Sequence, residues 1–186
     1  MKIRELRDQD LVDAVRILAL CFEKELTTIL KDVDIARELL MEFFRKNKNG
    51  CYVAEEERVV AFGWLLSEKL KIFKFLREKI GLVDGLRAYL LLRFFVRAPK
   101  KGEGFLVFVA VSPLRRRNGI GSRLMKRIIE EAKNMNLKRL KCIIPVNSDS
   151  LPFLTALGFE TVDLFENRLA EKYFSSREWI LLRKDL

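Results

Sequence analysis

The stretch from Phe105 through Met135 constrains the fold more than any other part of the chain. An unbroken apolar run rich in Val and Phe occupies residues 105–111. Ser112-Pro113 stops it, and a polar loop leads to Gly119-Ile120-Gly121-Ser122. An amphipathic pattern follows, with Leu124, Ile128, Ala132 and Met135 on one side and Arg123, Lys126, Arg127 and Glu130 away from them. A short continuous apolar run bounded by turn signals reads as a buried strand. A 3.6-residue apolar period reads as a helix with one face on a core. A buried strand that feeds such a helix belongs to a sheet with helices packed on it, so the expected class is α/β.

The flanking sequence extends the same architecture. Residues 2–7 alternate polar and apolar and read as a strand. Asp8 or Asp10 is expected to cap a helix carrying Leu11, Ala14, Val15, Leu18 and Phe22. A second helix is expected over 34–46, with Ile35, Leu39, Leu40 and Phe43 on one face and Asn49-Gly50 after it. Residues 51–55 and 59–66 read as a β-hairpin. Residues 139–144 form the next strand, and 151–157 a short helix closed by Gly158. One strand from Phe159 onward and another over 178–183 complete the chain. The predicted order is β-α-α-β-β-(insertion)-β-α-β-α-β-β: a mixed central sheet flanked by helices, in a single domain over 1–186, with a helical insertion between the third and fourth strands.

Composition excludes several functions. The chain of 186 residues is 49% hydrophobic, which suits one core. It has no histidine, which removes Ser-His and Cys-His triads and histidine-ligated metals. Cys21, Cys51 and Cys142 are far apart, so free core thiols are expected rather than a disulfide or a zinc site, and no metal is expected. Charges stand at the N-terminus where an apolar signal core would be, and the apolar run 88–96 is interrupted by Arg93 and far short of the ~20 residues of a membrane span. A cytoplasmic protein without a transmembrane segment is the expectation. The formal net charge is +10. Most of it lies in residues 69–101, where ten Lys/Arg face only Glu78 and Asp84.

Glycines at a helix start let an anion approach the backbone, where unpaired N–H groups and the helix dipole favour negative charge. Arg115, Arg116 and Arg117 precede them, and the set suits a pyrophosphate. No Walker loop is present. A dinucleotide fingerprint would need a small residue at 124, which is Leu. An ordinary strand–loop–helix with glycines easing the turn stays open on these residues alone.

Two motifs carry a more specific resemblance. Val109-Ala110-Val111-Ser112-Pro113 followed by Arg116-x-x-Gly119-x-Gly121 resembles the acetyl-CoA motif of the GNAT acetyltransferase superfamily, whose signature is [QR]-x-x-G-x-[GA]. Asn147, Ser150, Phe153, Leu157, Gly158 and Phe159 resemble the family's second motif. The resemblance covers most of the chain except 69–101. It implies acetyl-CoA as co-substrate and acetyl transfer to a primary amine on a small molecule or a protein. It further implies that Val109, Ala110 and Val111 line the pantetheine arm, that the Val109 end polarises the thioester carbonyl, that backbone N–H groups of Arg117, Asn118, Gly119, Ile120, Gly121 and Ser122 hold the pyrophosphate, and that Arg116 adds a charged contact. Asn147, with Ser150 near it, would meet the cofactor where the sheet splays; a plain loop-turn role for Asn147 stays open beside that.

The sequence departs from the family at the catalytic groups. Many members place a tyrosine, the donor to the leaving thiolate, where this chain has Leu154, and leucine has no proton to give. Tyr173 or Tyr89 could replace it, the thiolate could leave unaided, or the domain could be a non-catalytic acetyl-CoA or CoA sensor. Glu103 is the candidate base, two residues before the family's usual position at Phe105; a solvated charge at a strand end is its alternative. Residues 69–101 read as two helices, 69–80 and 86–97, with Gly81 and Gly85 allowing the turn. The insertion is expected either to pack on the domain or to act as a basic, apolar lid, homodimer contact or membrane-surface contact. Nucleic acid is the disfavoured partner, because the basic stretch is heavily apolar and carries no recognised motif.

Overall fold

A computed structural model describes all of residues 1–186. Seven strands form one sheet in the order β1-β2-β3-β4-β5-β7-β6: β1 Lys2–Glu5, β2 Cys51–Glu55, β3 Val59–Leu66, β4 Glu103–Val111, β5 Arg139–Pro145, β6 Glu160–Glu166 and β7 Glu178–Asp185. Every neighbouring pair is antiparallel except β4–β5. The helices are α1 Leu11–Cys21, α2 Glu23–Leu30, α3 Val33–Lys46, α4 Ile72–Leu92, α5 Ile120–Asn134, α6 Ser150–Ala156 and α7 Arg168–Phe174.

The sheet separates two cores. On one face, Leu11, Val15 and Leu18 of α1 and Phe43 and Phe44 of α3 pack on Phe62, Trp64, Phe105 and Trp179. On the other, Leu124, Met125 and Ile128 of α5 pack on Leu65, Leu106, Leu140 and Leu182. Gly63 lets α5 lie close, since a Cβ there would stand 2.6 Å from Ile128 Cδ1.

The predicted mixed α/β sheet with an insertion between the third and fourth strands is the observed architecture. Four local expectations need correction. First, α2 and α7, each short, were not foreseen; Asn167 caps α7 by accepting from the N–H groups of Leu169 and Ala170. Second, Asp10 does not cap α1. Its carboxylate takes two hydrogen bonds from the Arg4 guanidinium, at 2.6 and 2.9 Å, and one from the Arg7 N–H. Third, Ile35 lies on the outer face of α3, where Ala36, Leu39, Phe43 and Phe44 are the buried set. Fourth, the insertion's helices meet at Gly81 alone (φ 82°, ψ 175°), and its second helix runs over residues 82–92 instead of 86–97. Gly85 serves the crossing instead: a Cβ there would lie 2.9 Å from the Arg77 backbone.

The insertion packs on the domain. Leu76, Ala88 and Leu91 form a buried cluster with Ile29 of α2. Arg87 donates to the carbonyls of Thr28 and Ile29 at the end of α2, at 2.8 and 3.0 Å. Phe94 and Phe95, just beyond α4, meet Phe174 edge-on, and Phe95 also meets Trp179. No helix is long and apolar enough to cross a membrane.

Candidate active site

The site is built by an irregularity in β4. Trp64 pairs with Phe108 and Leu65 with Leu106, so Val107 is an extra residue in the ladder. Val107 and Phe108 consequently face the same core. A bulge of this kind bends its strand and increases the local twist. The parallel ladder between β4 and β5 covers only Glu103–Arg139, Gly104–Leu140 and Phe105–Lys141. Beyond it the two strands part, and β5 continues alone with β7 to the Pro145–Trp179 pair.

The parting leaves a strand edge without a partner. The Ser112 N–H donates to Val60 O, so by the alternation of an antiparallel ladder Ala110 and Phe108 also point their backbone groups toward β3. Val109 and Val111 therefore direct theirs into the β4–β5 gap. Two side chains already reach one of these groups: Cys21 Sγ and Arg116 Nε each donate to Val111 O at 3.4 Å. Another nitrogen of the same guanidinium lies 3.4 Å from Cys21 Sγ. Cys21, expected in the core, is thus half-buried at the mouth of the gap.

At that mouth the loop turns into α5. Arg117 (φ 62°) and Gly119 (φ 70°) are both left-handed, and none of the N–H groups of residues 116–122 has a partner in the protein. Alternation of left- and right-handed residues aims successive N–H groups to one side, and this concavity adjoins the positive end of α5. Phe153 of α6 stands beside Gly121, 3.6 Å from where a Cβ would be. These features fit a pyrophosphate with a slender chain attached: free donors at the helix, then an open strand edge along the gap. Asn147 is exposed two residues past the end of β5, in a polar pocket of about 450 Å³ with Glu166, Arg177 and Glu178. Ser150 begins α6, its N–H on Ser148 Oγ at 3.2 Å.

The residues considered for proton transfer lie elsewhere. Glu103 sits at the closed end of the gap, with Lys141 at 2.7 Å and Arg139 at 3.8 Å. The hydrogen bond from Lys141 holds its carboxyl below the usual range. Glu103 is buried rather than solvated at a strand end. Tyr89 packs on Phe73 within the insertion, and Tyr173 faces Arg87; both line an apolar groove beside α4. Leu154 is buried in the α5-side core.

The model of the acetyltransferase (GNAT) family matches residues 11–159, and the chain belongs to that family. Comparison of the whole sequence with curated proteins returns no match. Solved structures share the fold over the full chain. Ribosomal-protein-alanine N-acetyltransferase from Brucella melitensis is 20% identical with a TM-score of 0.68, covering 100% of both chains. Ard1 from Thermoplasma volcanium is 16% identical with a TM-score of 0.67, covering 100% of this chain and 97% of its own. A phosphinothricin acetyltransferase from Sinorhizobium meliloti, solved in complex with AcCoA, is 16% identical with a TM-score of 0.65, covering 100% and 88%.

Proposed function

We propose that this chain transfers an acetyl group from acetyl-CoA to a primary amine. The observation that carries the reading is the free edge of β4 at Val109 and Val111, which leads directly to the unpaired N–H groups of residues 116–122. Acetyl-CoA supplies the acetyl group as a thioester, from which an amine displaces the thiol. In this reading the chain's own groups do three things. Val109 and Val111 bind the pantetheine amides as an added strand would. The Val109 N–H polarises the thioester carbonyl. Residues 117–122 and the Arg116 guanidinium hold the pyrophosphate, and for Arg116 that requires leaving Val111 O.

Neither Glu103, tied to Lys141, nor Tyr173, in the groove, is assigned to proton transfer. The rate then comes from positioning and carbonyl polarisation. The acceptor is an amine of a small molecule or a protein N-terminus; two of the structural relatives are named for acetylating ribosomal proteins. The second reading, a CoA-binding sensor without turnover, is favoured by Leu154. Thiol release from acetyl-CoA across a panel of amines and N-terminal peptides tests the two. Tight binding without release on any amine supports the sensor; absence of binding sinks both.

A further inference from the structure

The second helix of the insertion is apolar on two opposite sides. Its inner side carries Ala88 and Leu91, buried against α2. Its outer side carries Leu82, Val83, Leu86 and Leu90, exposed at 62%, 80%, 45% and 52%. The spacing places all four on one stripe, and Arg93 continues it at i+7 from Leu86. The stripe runs on to α7, because Leu90 and Leu169, the latter 60% exposed, line one groove.

That groove, of about 1050 Å³, is apolar except for Asn167 and three arginines, Arg87, Arg93 and Arg97, and no carboxylate lines it. Arg87 is engaged by the α2 carbonyls, and Arg97 lies over the Phe165 ring at 5.2 Å. Neither Arg93 nor Arg97 pairs with a carboxylate, and both are exposed. Arg168 and Lys172 flank Leu169 on α7, where Glu171 is the opposing charge. The acid on the stripe's own helix, Asp84, is bound by Lys31 at 2.6 Å.

We propose that this ridge of α4 and α7 docks the protein on an anionic bilayer surface. An apolar stripe bordered by cations lies in the headgroup plane with its side chains in the acyl boundary. A second copy of the chain is the wrong occupant, since the docking would bring two cationic surfaces together. A soluble anionic amphiphile would fill the groove but leave Leu82, Val83 and Leu86 in water. A bilayer covers the groove and the stripe together. The docking is peripheral, and it does not depend on acetyl transfer.

Cosedimentation of the full chain with vesicles decides it. Vesicles of phosphatidylcholine alone are compared with vesicles containing roughly one third phosphatidylglycerol. Binding is expected to the anionic vesicles and to fall as salt rises. Arg93→Gln with Arg97→Gln should weaken it about fivefold per charge removed, the equivalent of ~1 kcal/mol each near such a surface. Leu82→Ser, Leu86→Ser and Leu90→Ser together should reduce it by at least about tenfold. All five side chains are exposed, and a thermal melt of each variant verifies folding; if the leucine variant fails to fold, the arginine variant decides. Failure of wild type to bind anionic vesicles, or binding that the variants leave unchanged, overturns the proposal. So does binding of monomeric dihexanoyl-phosphatidylglycerol without vesicle binding. Concentration-dependent dimerisation that the leucine variant abolishes, seen by light scattering, also overturns it.

Discussion

Phe105 and Lys141 form the last pair of the β4–β5 ladder, and the strands part at the residue after it. The opening therefore lies between the two strands that run parallel, with the start of α5 at its wide end. A ligand that enters there meets backbone before side chain, so the glycines at the entrance are the sharpest probes of the site.

Gly119→Val and Gly121→Glu should each weaken acetyl-CoA binding at least about tenfold, ~1.4 kcal/mol. They act by different means. Gly119 has φ 70° with nothing within 4 Å of a built Cβ, so valine has room but not the backbone conformation. At Gly121 a side chain meets only ordinary contacts with Val111 and Phe153, so the glutamate acts through its charge on the pyrophosphate. Calorimetry on both variants is the measurement, and unchanged affinity in both removes the site assignment.

Tyr173→Phe and Tyr89→Phe are expected to keep the acetylation rate within about threefold of wild type, whereas loss of a general acid costs roughly 100-fold or more. Both tyrosines line the groove beside α4. Leu154→Ala should instead lower stability by about 2–5 kcal/mol, the usual cost of an emptied core site. Steady-state rates with thermal melts separate the two effects, and a large rate loss in either phenylalanine variant would expose a donor.

Acid should unfold the protein partly through Asp10. Burial raises its pKa, but the Arg4 hydrogen bonds and the Arg7 N–H outweigh it, and the folded value is lowered. A carboxyl depressed on folding adds stability above its unfolded pKa of about 3.9 and loses it as pH falls through the folded value. Asp10→Asn leaves the buried Arg4 without its main partner and should cost about 3–5 kcal/mol at neutral pH. The variant should also show a shallower loss of stability below about pH 4. Urea melts across pH test both, and a parallel shift of the two curves would refute the assignment.

Gly85→Leu should loosen the insertion while sparing the cofactor site. The new side chain must displace the Arg77 backbone, 2.9 Å from its Cβ, at a cost of about 1–3 kcal/mol. Acetyl-CoA affinity should stay within about threefold of wild type, since the hairpin packs on α2 and α7 rather than on the Arg117–Ser122 loop. Hydrogen exchange confined to residues 72–97, with calorimetry, checks this.

The sequence made the strands, α5 and the glycine loop legible because each carries a strong local signal: apolar runs, a 3.6-residue period, and glycine where φ is positive. The short helices α2 and α7 carry too few turns for a period to show, and Asn167 looks like any loop asparagine until it caps. Asp10 reads as a cap because its spacing permits one, but Arg4, six residues earlier, turns its guanidinium back onto the Asp10 carboxylate from β1, and no sequence period marks that local pairing. Glu103 looked solvated because Lys141 is 38 residues away. Cys21 reaches the gap only because α1 crosses the sheet toward Val111, a contact 90 residues apart in the chain.

The extra residue at Val107 means that β4 is longer than the stretch of β3 it pairs with. Deleting it would leave the composition and every motif almost untouched, and each remaining side chain of β4 would keep its face, because Phe105, Leu106, Phe108 and Val109 alternate between the two cores once Val107 is gone. What would go is the bend, and a regular β4 would run on beside β5 instead of turning away from it. An aligner would score that deletion as trivial; for the molecule it keeps the hydrophobic core and closes the entrance. The spacing from Phe105 to Ser112 should therefore tolerate substitution far better than a change in count.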